Sequence, residues 1–266
     1  MAVINGKFRI VSNNWVNAEY KHMVVDIGST LSKVEPGQFF YLQCPHTEAD
    51  KPFFRRPMST YHYDEKMNNV EFLYKVTGAG TRGLAILDKD DFLQLLGPLG
   101  VGFTIKPSYR HIMVVARGVG LATLAPLAEL ASKMNIHVTA LLSARDNERL
   151  MSQHRFLNIG AKVIEVIDTD QSSSVGNVEK LIRKVHNDNP VDAIYTCGSA
   201  RITRMLQQLI LDINVVGEVA LEKHMACGVG LCYCCVHPIR VGVAGEIKSK
   251  RVCADGPVFD IKQVCI

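Results

Sequence analysis

Cys227-Gly228-Val229-Gly230-Leu231-Cys232-Tyr233-Cys234-Cys235, with Cys253 further on, is the stretch that organises the chain. Four of its thiols form the spacing C-x4-C-x2-C-x17-C, with Cys227, Cys232, Cys235 and Cys253 as members. Three close thiols on a glycine-containing loop plus one distant thiol is the plant-type [2Fe–2S] spacing. Such a loop wraps a small anionic cluster and aims backbone N–H groups at its sulfurs, and Gly228 and Gly230 permit the angles and close approach this needs. A structural zinc site is the rival, but zinc sites usually show two C-x2–4-C knuckles. Here one crowded triplet faces a lone partner. Cys234 in place of Cys235 would break the spacing.

The rest of the chain must then deliver electrons to a cluster and remove them. At 266 residues it is long for one domain, so two or more compact units are expected. Apolar content of 47% supplies real cores, and a net charge of +4 without a dense Lys/Arg run argues against nucleic acid. No apolar run reaches ~18 residues, so no membrane span is expected. The start, Met1-Ala2-Val3-Ile4-Asn5-Gly6-Lys7, lacks a basic-then-apolar signal design. These features lead to a cytoplasmic expectation, with the eight cysteines as thiols and ligands rather than disulfides. Cys44 reads as a buried small hydrophobe and Cys265 as idle. His224, three residues before a ligand, reads as a surface group.

Residues 1–105 read as short strands at 8–11, 20–27, 38–43, 70–76 and 92–96, separated by Gly, Pro and Asp/Asn signals. That spacing, without long amphipathic helices, suggests an antiparallel barrel or sandwich. Two apparent loops carry possible chemistry. In Arg55-Arg56-Pro57-Met58-Ser59-Thr60 an Arg can grip phosphate and a Ser can hydrogen-bond a heterocycle. In Gly78-Ala79-Gly80-Thr81-Arg82-Gly83 a glycine-rich turn can point N–H groups at phosphate. Each alone is equally well a solvated turn.

Residues 106–218 alternate between strand and helix patterns. Strands are expected at 111–116, 137–143, 161–166 and 193–196, and helices at 121–134, 146–157, 175–185 and 200–211. This order argues for a parallel, doubly wound sheet with ligands at the carboxyl ends of its strands. The first strand exits through Ala116-Arg117-Gly118-Val119-Gly120, and the fourth through Cys197-Gly198-Ser199. Either turn can face a nucleotide or merely allow a tight bend. Residues 219–266 add strands at 217–221 and 236–243, a turn at Ala244-Gly245-Glu246, and the cysteine loop. About 50 residues build little apolar core, so a bound cluster would act as the staple.

The sequence Pro36-Gly37-Gln38-Phe39, Arg56-Pro57-Met58-Ser59, Gly78-Ala79-Gly80-Thr81, Leu96-Gly97-Pro98-Leu99-Gly100 follows the order of the ferredoxin-reductase superfamily. The whole chain resembles the electron-transfer subunits of heterodimeric, NAD-linked dihydroorotate dehydrogenases and the similar small subunits of sulfide-dehydrogenase-type ferredoxin–NADP reductases. His224-Met225-Ala226-Cys227 and Arg251-Val252-Cys253-Ala254-Asp255-Gly256-Pro257 carry the resemblance most specifically. It implies an FAD-binding β-barrel at 1–105, an NAD(P)-binding-like α/β unit at 106–218 and a small β-rich [2Fe–2S] unit at 219–266. It also implies an obligatory partner redox subunit, hence a hetero-oligomer. By the same resemblance Arg56, Pro57, Met58, Ser59, Tyr74, Lys75, Val76, Gly80 and Thr81 hold the flavin. Gly118, Val119, Gly120, Cys197 and Gly198 flank the pyridine nucleotide.

The chain departs from the superfamily at Ala116-Arg117, where glycines are usual, and at Ser199, where Pro is usual. Arg117 either binds a phosphate or blocks the site. After the second strand, Arg145 suits a 2′-phosphate and Asp146 a 2′-hydroxyl, so NADP and NAD both stay open. The implied mechanism is a relay between NAD(P)H, FAD, the cluster and the partner, in which no side chain need act as general acid or base. A self-contained reductase feeding an oxygenase and a cluster-bearing adaptor that has lost nucleotide binding are the alternatives.

Overall fold

The structure, a computed structural model, describes residues 3–30, 33–242 and 245–266. Its first part is one curled antiparallel sheet of seven strands: β1 (Ile4–Trp15), β2 (Tyr20–Asp26), β3 (Phe39–Leu42), β4 (Arg56–Ser59), β5 (His62–Asp64), β6 (Asn69–Lys75) and β7 (Phe92–Leu99). The spatial order is β4-β3-β7-β1-β2-β6-β5. Alternate residues of β2, β3, β6 and β7 point inward, and Met23, Val25, Phe40, Leu42, Phe72, Tyr74, Leu93 and Leu95 fill the concave core.

Two readings of this part are corrected. Arg56–Ser59 is not a loop but an edge strand, paired with β3 from Phe39↔Ser59 to Leu42↔Arg56. Pro57 obscures it in the sequence, although an edge strand tolerates the missing N–H. The glycine turn after β6 continues as helix α1 (Ala79–Ala85). The Thr81 hydroxyl accepts from the Thr77 and Gly78 N–H groups at 2.9 and 3.1 Å and so closes the first turn.

The second part alternates β8 (His111–Arg117), α2 (Leu121–Lys133), β9 (His137–Ala144), α3 (Gln153–Asn158), β10 (Lys162–Ile167), α4 (Val175–Asp188), β11 (Ala193–Cys197), α5 (Ala200–Asp212) and β12 (Val216–Ala220). These five strands are parallel in the order β10-β9-β8-β11-β12. The winding reverses between β8 and β11, so a ligand crevice opens where these two strands end. The helix expected over 146–157 is broken. Asp146 caps a short 3-10 turn, Asn147–Arg149, and Ser152 takes φ +63° before α3 starts. Met151 is buried, and the Ser152 hydroxyl is 2.7 Å from that of Tyr61. Tertiary contacts thus override local helical preference.

The last part has β13 (Val236–Val241) paired with β14 (Glu246–Arg251), and β15 (Val258–Asp260) added antiparallel to β12 at the edge of the parallel sheet. Val243 and Ala244, part of the expected strand end and turn, lie outside the described residues. The strand expected at 217–221 is β12. Among the described residues no helix is long and apolar enough to cross a membrane.

Candidate flavin, nucleotide and cluster site

A cavity of about 260 Å³ lies where the three parts meet. The curled sheet contributes Phe39, Pro57, Met58, Ser59, Tyr74 and Lys75; the parallel sheet contributes Val119, Ala122 and Thr123 from the turn and helix after β8. Leu221, Glu222, Met225 and Pro257 close it from the third part. The walls are mainly apolar, with hydroxyls at Ser59 and Thr123 that hydrogen-bond each other at 2.8 Å. An apolar slot with a few convergent polar groups suits a flat heterocycle.

Beside this cavity Arg56 packs against Gly80, where a Cβ would come within 2.7 Å of the guanidinium Nε. Any side chain at Gly80 would push the Arg56 guanidinium out of this position. The Arg56 guanidinium also donates to the Phe54 carbonyl. Thr81, by contrast, spends its hydroxyl on its own helix. Val76, just after β6, donates its N–H to the Glu19 carbonyl at 2.8 Å. Its side chain packs on the sheet core.

A second cavity of about 260 Å³ opens at the β8–β11 crevice, lined by Lys75, Arg117, Gly118, Val119, Arg145, Arg149 and Gly198, with Glu19 and Glu222 as the acids. Gly118 and Gly198 take positive φ of 52° and 96°. A Cβ on Gly120 would stand 2.5 Å from the Cys197 carbonyl oxygen, and one on Gly198 2.4 Å from that of Arg117. The two turns therefore pack backbone against backbone. Arg117 does not fill the crevice. Its guanidinium donates to the Asp168 carboxylate at 2.6 and 3.1 Å and to Ser143 Oγ at 2.9 Å. These partners lie at the ends of β9 and β10, on the side of β8 away from β11. The guanidinium in turn holds the Asp168 carboxyl below its usual range, helped by the Ser173 hydroxyl.

Cys197 ends β11 with its Sγ 3.7 Å from the Thr123 hydroxyl and 4.0 Å from Glu222 Oε1. Burial pushes its thiol up, so it stays protonated. Burial likewise raises Glu222. Thr123 and Glu222 were missed by sequence reasoning. Each lies in an ordinary stretch, and only the fold carries them to Ser59 and Cys197.

The cysteine loop starts two residues after Met225, at Cys227. Cys227 Sγ accepts from the N–H groups of Leu231 and Cys232 at 3.3 and 3.5 Å, and Cys235 Sγ from the Cys253 N–H at 3.4 Å. Burial would raise the Cys227 thiol, but the N–H donors of Cys232, Val229 and Leu231 outweigh it and lower it to about 6. Burial first, and then the neighbouring Cys235, push Cys253 up to about 12. The backbone of Cys232 thus lies against the Cys227 sulfur, and that of Cys253 against the Cys235 sulfur. Among the described residues no three His, Cys, Asp or Glu side chains converge on one metal-ion point. Four cysteines arranged as two such neighbours suit a two-iron cluster with two sulfur ligands per iron better than a single tetrahedral zinc. Gly228 and Gly230 take φ of +71° and +83°; a Cβ there would meet the Tyr41 ring and Ala254, each at 2.8 Å. Cys234 is exposed and turns its thiol toward the His224 carbonyl, 3.9 Å away.

A curled, half-open flavin-type sheet, a nucleotide-type parallel sheet and a thiol loop around one junction define a ferredoxin-reductase-like electron-transfer oxidoreductase. The family described as the iron–sulfur cluster binding domain of dihydroorotate dehydrogenase B matches residues 222–265. The dihydroorotate dehydrogenase B (NAD(+)) electron transfer subunit of Caldanaerobacter subterraneus subsp. tengcongensis is 32% identical over 260 residues, 97% of each chain. That of Desulforamulus reducens is 31% identical over 229 residues, 86% of each chain. The chain belongs to this family of electron-transfer subunits. Among solved structures, an NADH-dependent reduced ferredoxin–NADP oxidoreductase shares the fold with a TM-score of 0.80 at 23% identity, covering 97% of this chain and 89% of that one. Ferredoxin–NADP+ reductase from Plasmodium falciparum shares it at 0.65 and 14% identity, covering 81% and 96%.

Proposed function

We propose that the chain passes electrons between a pyridine nucleotide, FAD and a [2Fe–2S] cluster, to or from a partner redox subunit. One observation carries this reading: the apolar cavity and the thiol loop share a wall. Met225 lines the cavity, and Cys227 follows two residues later. FAD, once bound, supplies the exchange between two-electron hydride chemistry and one-electron steps.

The chain's own part is to bind and position. Arg56 pairs with the flavin pyrophosphate, with Gly80 and Thr81 beside it. Pro57, Met58, Ser59, Tyr74, Lys75 and Val76 frame the ring and its tail. Gly118, Val119, Gly120, Cys197 and Gly198 admit the nucleotide along the β8–β11 crevice, and the withdrawal of Arg117 toward Asp168 supports an open entrance. Cys227, Cys232, Cys235 and Cys253 hold the cluster, and the N–H groups at Cys227 and Cys235 stabilise the thiolates. Ser59, Thr123, Cys197 and Glu222 make a continuous polar seam between flavin and nucleotide cavities that can orient a nicotinamide. The three units of this proposal are 1–105, 106–218 and 219–266. A heteromer with a catalytic partner follows from the relatives' names as electron transfer subunits. Eight free cysteines suit a reducing compartment, so a cytoplasmic location belongs to the same proposal.

The test is spectroscopic. Purified holoprotein should show flavin and [2Fe–2S] absorption, and anaerobic NADH or NADPH should bleach both. A colourless zinc protein, or a flavin protein that neither nucleotide reduces, would sink the reading.

A further inference from the structure

If flavin and cluster lie on the two sides of Met225-Ala226, whatever holds that short stretch sets the gap between them. From 222 to 226 the backbone belongs to no strand or helix. Tyr41, on β3, reaches it. The Tyr41 hydroxyl lies 2.9 Å from the Met225 carbonyl oxygen and 2.7 Å from that of Ala226, sharing its one proton between them. Among the described residues the only other hydrogen bond onto the backbone of 222–226 is the 3.9 Å thiol contact from Cys234 to the His224 carbonyl. The Tyr41 ring, 2% exposed, also lies beneath Gly228, where a Cβ would meet it at 2.8 Å. Two residues back on the same strand and face, Phe39 lines the flavin-type cavity. One rigid strand therefore touches the cavity with one side chain and carries the cluster loop on the next. A buried phenol needs a partner for its hydroxyl, and here the partners are the two carbonyls immediately before Cys227.

We infer that Tyr41 is a positioning residue that fixes the cluster loop against the flavin cavity and so sets the rate of single-electron transfer between them. The inference rests on the function proposed above. In that step reduced flavin loses one electron and the oxidised cluster gains it. Rates of such transfers fall exponentially with distance, so a small loosening of the loop is felt strongly.

The experiment uses holoprotein carrying Tyr41→Phe, which keeps the ring and removes only the oxygen. Flavin reduction by NADH should keep its wild-type rate, because the nucleotide crevice is untouched. Cluster reduction, followed by stopped-flow absorbance and normalised to spin-counted cluster, should slow several-fold, and the electron paramagnetic resonance spectrum of the reduced cluster should shift. In the cluster-loaded protein, amides of 227–232 should exchange about fivefold faster, the equivalent of one lost hydrogen bond. Wild-type cluster reduction rates and an unchanged spectrum in Tyr41→Phe would refute the role of Tyr41 while leaving the proposed function standing. A wild-type protein that holds no flavin would remove both. Should the variant lose part of its cluster, unchanged amide exchange in the cluster-loaded fraction refutes the inference on its own.

Discussion

Cys234 and Cys235 are neighbours in the chain with opposite surroundings. Cys235 is 3% exposed and takes the Cys253 N–H, whereas Cys234 lies in solvent beside a carbonyl. Cys235→Ser should therefore abolish the visible cluster bands and leave flavin bound, while Cys234→Ser should keep both; iron and flavin assays on the two variants check this. Gly120 offers a second residue-level test. Its missing Cβ would sit 2.5 Å from a backbone oxygen, which cannot swing away. Gly120→Ala should force the β8 and β11 turns apart, lower stability by about 1–3 kcal/mol and weaken NADH binding more than flavin binding. Denaturant midpoints and nucleotide titration report the two effects separately.

At the scale of elements, the fourth cysteine depends on a turn that Arg251 organises. Its guanidinium grips the Asp255 carboxylate at 3.0 Å on each oxygen and donates to the Gly230 carbonyl at 3.1 Å, while its N–H meets Asp255 Oδ2 at 2.8 Å. Asp255 is held below the usual carboxylate range, first by that guanidinium. The pair thus ties the Cys253 turn to the Cys227 loop. Asp255→Asn should leave flavin content intact and speed cluster loss in a chelator challenge, measured by decay of the visible bands. The sequence shows Arg251 and Asp255 flanking Cys253, but not that the arginine reaches Gly230. Strands and helices with clean periodicity, such as β2, α2 and α5, are legible in the sequence within a residue or two at each end. β4 is not, because Pro57 breaks its pattern, nor is the split of 146–157, because burial of Met151 and the Tyr61 contact at Ser152 decide it. The C-x4-C-x2-C-x17-C pattern is legible because spacing is a local property. Thr123, Glu222 and Tyr41 are not, because their partners are 64, 25 and 184 residues away.

Across the whole molecule, the curled sheet and the parallel sheet are joined behind the cavity by a half-buried polar network. Arg155 on α3 pairs with Glu129 on α2, lies 3.9 Å from Glu71 on β6 and stacks 4.0 Å from the centre of the Tyr61 ring. His62 holds Glu129 at 3.0 Å and His22 holds Glu71 at 2.9 Å. Burial would raise the Glu129 carboxyl, but hydrogen bonds from His62 and Arg155 outweigh it and lower it from 4.5 to about 2. Glu71 is lowered too, with burial opposing and His22 favouring the shift. A carboxyl depressed in the folded state contributes stability that is complete above its ordinary value and lost as pH falls through the folded one. Thermal stability should thus hold above about pH 5 and decline from pH 4.5 toward 2. Arg155→Ala leaves two half-buried carboxylates short of a cation, a change that costs about 3 kcal/mol, the low end for a buried pair. It should lower Tm by about 6–12 °C and flatten the acid limb, since Glu129 and Glu71 would then titrate nearer their unfolded values. Because the network joins the elements that frame both cavities, the variant should also slow flavin reduction by NADH in otherwise folded protein. A Tm within a degree or two of wild type, with an unchanged acid limb, would show that the sheets are held together without this network.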